Sequence, residues 1–158
     1  MSIVKGTPLT QMEHKFLREL VARGSRFMVV GMSAADLQGA NIGTQDIDLW
    51  FGSTSDGKLD RAARSVGCLF LWRADPPTLE GEALERIDVV NQCDGLESFD
   101  NEYASSVETN IEGIRVRVLP LERIIISKKA ANRPKDRAAL PSLRAVLAAF
   151  KHVEIKKG

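Results

Sequence analysis

The sequence predicts an α/β (α+β) fold, a mixed β-sheet flanked by helices, and three observations carry the prediction. Short apolar runs of strand length recur at residues 26–30, 46–51, 68–72 and 86–91. Stretches of helical periodicity lie between or before them, as at residues 8–23 and 58–66. Two further runs, residues 106–111 and 114–119, meet at Glu112-Gly113 as the arms of a hairpin would. With 158 residues, 44% of them hydrophobic and 27% charged, the chain has the size and balance of one globular domain whose core needs no disulfides. It reads as a single domain over residues 1–158, with a core at about 26–119 and a helical segment at 120–150.

In chain order, the first helix places Leu9, Met12, Phe16, Leu17 and Leu20 on one stripe and ends before Gly24. The strand that follows stops at Gly31, and the small residues after it, Ser33, Ala34 and Ala35, start a helix. Glycine permits a sharp turn there, and small side chains let backbone amides approach a ligand phosphate, with Ser33 as a further donor. A tight turn with no ligand fits the same residues. Gly39 and Gly43 bracket a loop that returns through Thr44 to the second strand. A helix at 58–66 buries Leu59, Ala62, Ala63 and Val66, a third strand covers 68–72, and a loop with Pro76 and Pro77 runs on to about residue 84. After the strand at 86–91 comes an acidic, turn-rich stretch at 94–103 with room for one short helix. Pro120 opens a helix reading LERIIISKKAAN, and a last helix presents Leu140, Leu143, Val146, Leu147 and Phe150, kinked or restarted at Pro141. The C-terminal KHVEIKKG is expected to fray.

Asp46 and Asp48 carry the chemical signal. Side chains two apart on a strand share a face, so these carboxylates point one way while Ile47, Leu49 and Phe51 point to the core. Carboxylates held so close repel, and a hard cation such as Mg²⁺, which takes oxygen ligands and keeps phosphates among them, is their natural companion. Asp88, flanked by Ile87 and Val89, can face the same way from a neighbouring strand and complete a three-carboxylate site. A merely solvated strand face remains the competing reading. Lys128 falls on the apolar stripe of Leu121, Ile124 and Ile125, so it either snorkels to the surface or reaches a polar site such as a phosphate.

Charge is uneven along the chain. Residues 1–114 hold 10 Lys and Arg against 18 Asp and Glu, whereas residues 115–158 hold 12 against 3. A metal-binding acidic face with a basic C-terminal third suits a polyanion carried on a divalent ion, although the two parts could simply attract each other. Cys68 and Cys93 lack metal or redox spacing and read as structural thiols. No apolar stretch reaches the roughly 20 residues of a membrane span, and a cytoplasmic location is expected.

These residues resemble the nucleotidyltransferase superfamily, the polymerase-beta-like fold that includes small bacterial enzymes. Its pattern is a hydrophobic strand ending in Gly and then Gly or Ser, an Asp-hydrophobic-Asp pair further on, and a third carboxylate on a later strand. Val30-Gly31, Asp46-Ile47-Asp48 and Ile87-Asp88-Val89 occupy those places, with Met32 after the glycine and Ser33 one residue later. The segment LERIIISKKAANRPKD looks like the Lys-rich helix of the branch linked to toxin–antitoxin and abortive-infection systems.

The resemblance implies transfer of a nucleoside monophosphate from a nucleoside triphosphate to a hydroxyl of RNA, protein or a small molecule. Asp46, Asp48 and Asp88 would be catalytic and hold two Mg²⁺ or Mn²⁺ ions. Gly31, Ser33 and Thr44 would bind the nucleotide, and Lys128 and Lys135 would balance the triphosphate charge. The alternative is a catalytically quiet binding module or antitoxin-type partner with the same fold.

Overall fold

A computed structural model of the chain describes residues 8–40 and 46–157, with side chains through residue 152. Thr44 therefore lies outside the described residues. The elements run α1 (Gln11–Ala22), β1 (Phe27–Val30), α2 (Gly31–Leu37), β2 (Ile47–Phe51), α3 (Lys58–Arg64), β3 (Leu69–Leu71), β4 (Thr78–Glu80), a 3-10 turn at Glu82–Leu84, β5 (Ile87–Val90), α4 (Phe99–Ala104), β6 (Val107–Ile111), β7 (Ile114–Val118), α5 (Leu121–Ala131) and α6 (Pro134–Lys157).

Five strands form the main sheet in the order β5-β2-β1-β7-β6. The β1/β2 and β6/β7 pairs are antiparallel, and the β1/β7 and β2/β5 pairs are parallel, so the sheet is mixed as expected. β1 is buried along its whole length, from Phe27 at 4% exposure to Val30 at 2%, which is what a central strand packed on both faces requires. Its apolar run is therefore continuous rather than alternating. α1 buries Phe16, Leu17 and Leu20, and it opens with a capping box in which Thr10 and Glu13 exchange backbone and side-chain hydrogen bonds.

Three local expectations change. Residues 68–72 do not join the main sheet: β3 pairs only with β4, a strand absent from the sequence reading, in a separate two-stranded sheet. Cys68 and Phe70 are buried while Leu69 and Trp72 stand out to solvent, so the run has just one buried face. α6 passes through Pro141 as one helix, with Leu140 and Leu143 buried on either side of the missing N–H. It is helical as far as Lys157, and Phe150 is 45% exposed rather than part of the core.

Candidate active site

The strand pairing sets the carboxylates. On β2, Asp48 lies opposite Val30 of β1 and in register with Asp88 of β5. Ile47 and Leu49 flank it in the core at 3% and 0% exposure. Because β2 and β5 are parallel and in step, the two carboxylates sit side by side. Asp46, exposed just ahead of β2, adds its negative charge to the field at both.

Gly31 makes room for this arrangement. Its φ is +63°, a conformation that disfavours side chains, and a Cβ there would stand 2.5 Å from Asp48 Oδ2. Ser33, nearly fully buried, donates its hydroxyl proton to the Val30 carbonyl at 2.9 Å and accepts from the Asp48 amide at 3.1 Å. Its hydroxyl thus ties α2 to the strand that carries Asp48. Met32 packs against the core rather than into the opening beside Gly31.

That opening is a cavity of about 360 Å³ whose walls include Gly31, Asp48, Cys93, Lys128, Arg133 and Lys135. Gly31, Asp48, Lys128 and Lys135 were expected from sequence, and the fold gathers them. Ser33 lies behind the wall, and Asp46 and Asp88 are outside the lining. A larger depression of about 690 Å³, between α1 and the β6–β7 hairpin, contains none of the aspartates.

Asp136 was not foreseen. It is fully buried, 3.2 Å from Lys128 Nζ, and accepts from the Arg133 amide at 3.1 Å and from Arg133 Nε at 2.6 Å. Pro134 at the first turn and an Asp two residues later are a legible helix start. That the same Asp would reach back to Lys128 required the packing of α5 against α6. Burial works to raise the Asp136 pKa, but the hydrogen bonds from Arg133 and Lys128 outweigh it and hold the carboxyl at about 2.

Cys93 also joins the site, on a loop that packs closely on α5: a Cβ at Gly95 would stand 2.6 Å from Ala130 Cβ. Burial first, then the charges of Asp48 and Asp94, push its thiol up to about 12, so it stays protonated.

Electrostatics favour a cation at the carboxylates. Burial and the neighbouring Asp88 charge raise the Asp48 pKa to about 6, against partial relief from Lys128 and Lys135. Asp88 is raised in the same direction by burial and by Asp46. Two strained carboxylates with a side-chain-free notch beside them are a donor set that fits a hard divalent ion. Among the described residues, no group of three or more His, Cys, Asp or Glu side chains is gathered as a metal cluster. The arrangement is a pair, Asp48 and Asp88, with Asp46 as a charged neighbour.

This mixed five-stranded sheet with its flanking helices is the fold of several solved nucleotidyltransferases, and the chain shares that fold with them. Among similar solved structures is the lincosamide antibiotic adenylyltransferase LnuA with lincomycin bound, at a TM-score of 0.61 and 16% identity over 89% of this chain and 99% of that one. Another is the antibiotic-resistance factor ANT(2'')-Ia in complex with adenylyl-2''-tobramycin, at 0.59 and 24% over 90% of each chain. A third is an antigenic nucleotidyltransferase-like protein from Paracoccidioides brasiliensis, at 0.54 and 14% over 90% of this chain and 79% of that one. No protein-family model and no curated protein matches the sequence. These likenesses show the fold and select no toxin–antitoxin branch. No helix among the described residues is long and apolar enough to cross a membrane.

Proposed function

We propose that this protein is a nucleotidyltransferase that moves a nucleoside monophosphate from a nucleoside triphosphate to a hydroxyl acceptor. The observation that carries the reading is the register of Asp48 with Asp88 beside the Gly31 notch and opposite Lys128. Asp48 and Asp88, with Asp46 close by, would hold Mg²⁺ or Mn²⁺, which supplies charge neutralisation at the phosphates and a more acidic acceptor hydroxyl. The polypeptide supplies the rest. Lys128 and Lys135 put positive charge on the cavity wall where a triphosphate would lie. Asp136 holds Lys128 in place, since an ammonium on a mobile stem would otherwise lose its aim. The Gly31 notch would let the phosphates come close to the carboxylates, and Asp88 would be the group placed to take up the acceptor proton.

The acceptor class follows less directly. LnuA and ANT(2'')-Ia were solved with antibiotics or an adenylylated antibiotic, which favours a small hydroxyl compound over RNA or protein here. The test is thermal unfolding with each ribonucleoside triphosphate, with Mg²⁺, Mn²⁺ or chelator, in wild type, Asp48→Asn and Lys128→Gln. A triphosphate at about 100 times its dissociation constant adds roughly 2.7 kcal/mol of stability. Metal-dependent stabilisation that both substitutions weaken is expected; no shift with any triphosphate would replace this reading with that of a quiet binding module.

A further inference from the structure

The depression between α1 and the β6–β7 turn shares no lining residue with the cavity beside Gly31. It adjoins the start of β7 at Ile114, whereas that cavity adjoins Leu119 beyond the strand's end. Its two walls are tied together. Glu112 and Gly113 at the turn both take positive φ, +48° and +91°, which a residue with a Cβ adopts at a cost. The Glu112 carbonyl accepts from His14 Nε2 at 3.0 Å, and its carboxylate accepts from the Leu9 amide at 2.8 Å. The turn is thereby fastened to α1, and the space of about 690 Å³ between them is formed in advance of any ligand.

The lining combines apolar surface with cations. Val21, Ala22 and Ile114 contribute the apolar part, and Val21 is 43% exposed because α1 turns Phe16, Leu17 and Leu20 to the core instead. Of the charged lining residues, Glu19 is paired with Arg23 at 3.4 Å and Arg115 with Glu108 at 3.6 Å. Lys15 and Arg18 have no side-chain ion pair or hydrogen bond among the described residues, and Glu112 is the one lining carboxylate left to set against them. Both cations also border a second depression of about 450 Å³ that reaches Leu9 and Met12. A surplus of positive charge beside exposed apolar surface is complementary to an acidic group carried on an apolar body.

We propose that this depression binds an amphipathic organic monoanion, with its acidic group on Lys15 and Arg18 and its apolar body against Val21, Ala22 and Ile114.

Fluorescence titration of the full chain with anilinonaphthalene sulfonate, an aromatic body with one sulfonate, tests it, with circular dichroism to check the fold of each variant. One saturable site per chain is expected, displaced by decanoate and at least about ten-fold less readily by decanol or inorganic tripolyphosphate. Lys15→Gln/Arg18→Gln should weaken the probe roughly five- to ten-fold, and Lys15→Arg/Arg18→Lys should keep it. Lys129→Gln/Arg144→Gln, which removes the same charge from exposed positions on α5 and α6, should stay within about two-fold of wild type. Val21→Asp, at an already exposed position, should weaken the probe at least as far as Lys15→Gln/Arg18→Gln. No saturable binding, equal displacement by decanol or tripolyphosphate, or unchanged affinity in folded Lys15→Gln/Arg18→Gln or Val21→Asp would each overturn the proposal. So would a loss in Lys128→Gln as large as that in Lys15→Gln/Arg18→Gln, since it would put the probe in the cavity beside Gly31.

Discussion

Replacing Asp48 with Asn should make the metal-free protein more stable at neutral pH, although it removes a residue at the centre of the proposed chemistry. The ordinary Asp pKa is 3.8, and burial together with the Asp88 charge lifts Asp48 to about 6 in the fold. A raised carboxyl pKa means that the folded state binds the proton more tightly than the unfolded chain. The neutral form thus stabilises the fold below about pH 4, and that contribution is lost as pH rises through about 6. The full difference corresponds to ~3 kcal/mol, with Asp48 and Asp88 titrating as a coupled pair. Asn is neutral at every pH, nearly the same shape, and able to donate to Asp88. In chelator at about pH 8, Asp48→Asn should unfold ~6–10 °C above wild type, and the gap should close as pH falls toward about 4. Adding Mg²⁺ should raise the wild type and leave the variant unmoved. Thermal and urea unfolding across that pH range make the test. A variant less stable than wild type at about pH 8 in chelator, or a gap that does not change with pH, would refute the electrostatic account of this site.

Three further outcomes are expected. Asp136→Asn should cost ~3 kcal/mol in urea unfolding, because Lys128 and Arg133 lose a buried counter-charge; in wild type the corresponding stability should be present above the ordinary pKa of 3.8 and lost as pH falls toward about 2. Gly31→Ala should abolish Mg²⁺-dependent nucleotide binding by calorimetry, whereas Gly113→Ala, also at positive φ (+91°) but with nothing within 4 Å, should lose about 1–2 kcal/mol of stability and bind normally. Cys93, held protonated with a pKa of about 12, should react with a maleimide far more slowly than an unfolded control near about pH 8, and faster once Asp48→Asn removes a neighbouring negative charge, as peptide mass mapping can follow.

Much of this protein was settled by its sequence alone, where the deciding physics is local. Strand period two placed Asp48 opposite in sense to Ile47 and Leu49, and the burial of those neighbours bears the alternation out. The apolar run ending in Gly31 announced a strand-to-helix turn, because only a residue without Cβ takes that φ at low cost. The hairpin at Glu112-Gly113 is likewise a property of a few adjacent residues. Tertiary structure decided whatever depended on partners distant in the chain. Forty residues separate Asp48 from Asp88, and only the parallel, in-step pairing of β2 with β5 makes neighbours of them. The run at residues 68–72 was legible as a strand, but that its partner is β4 and not the main sheet depended on the fold. Ser33 carried a hydroxyl toward the phosphates on paper, but in the fold its proton goes to Val30 and its oxygen to the Asp48 amide. Asp136 reads in sequence as a helix-start residue, and only the docking of α6 on α5 also makes it the counter-charge of Lys128. Local steric and periodic rules act within one turn or one strand, whereas ion pairing and register require the chain to have closed on itself.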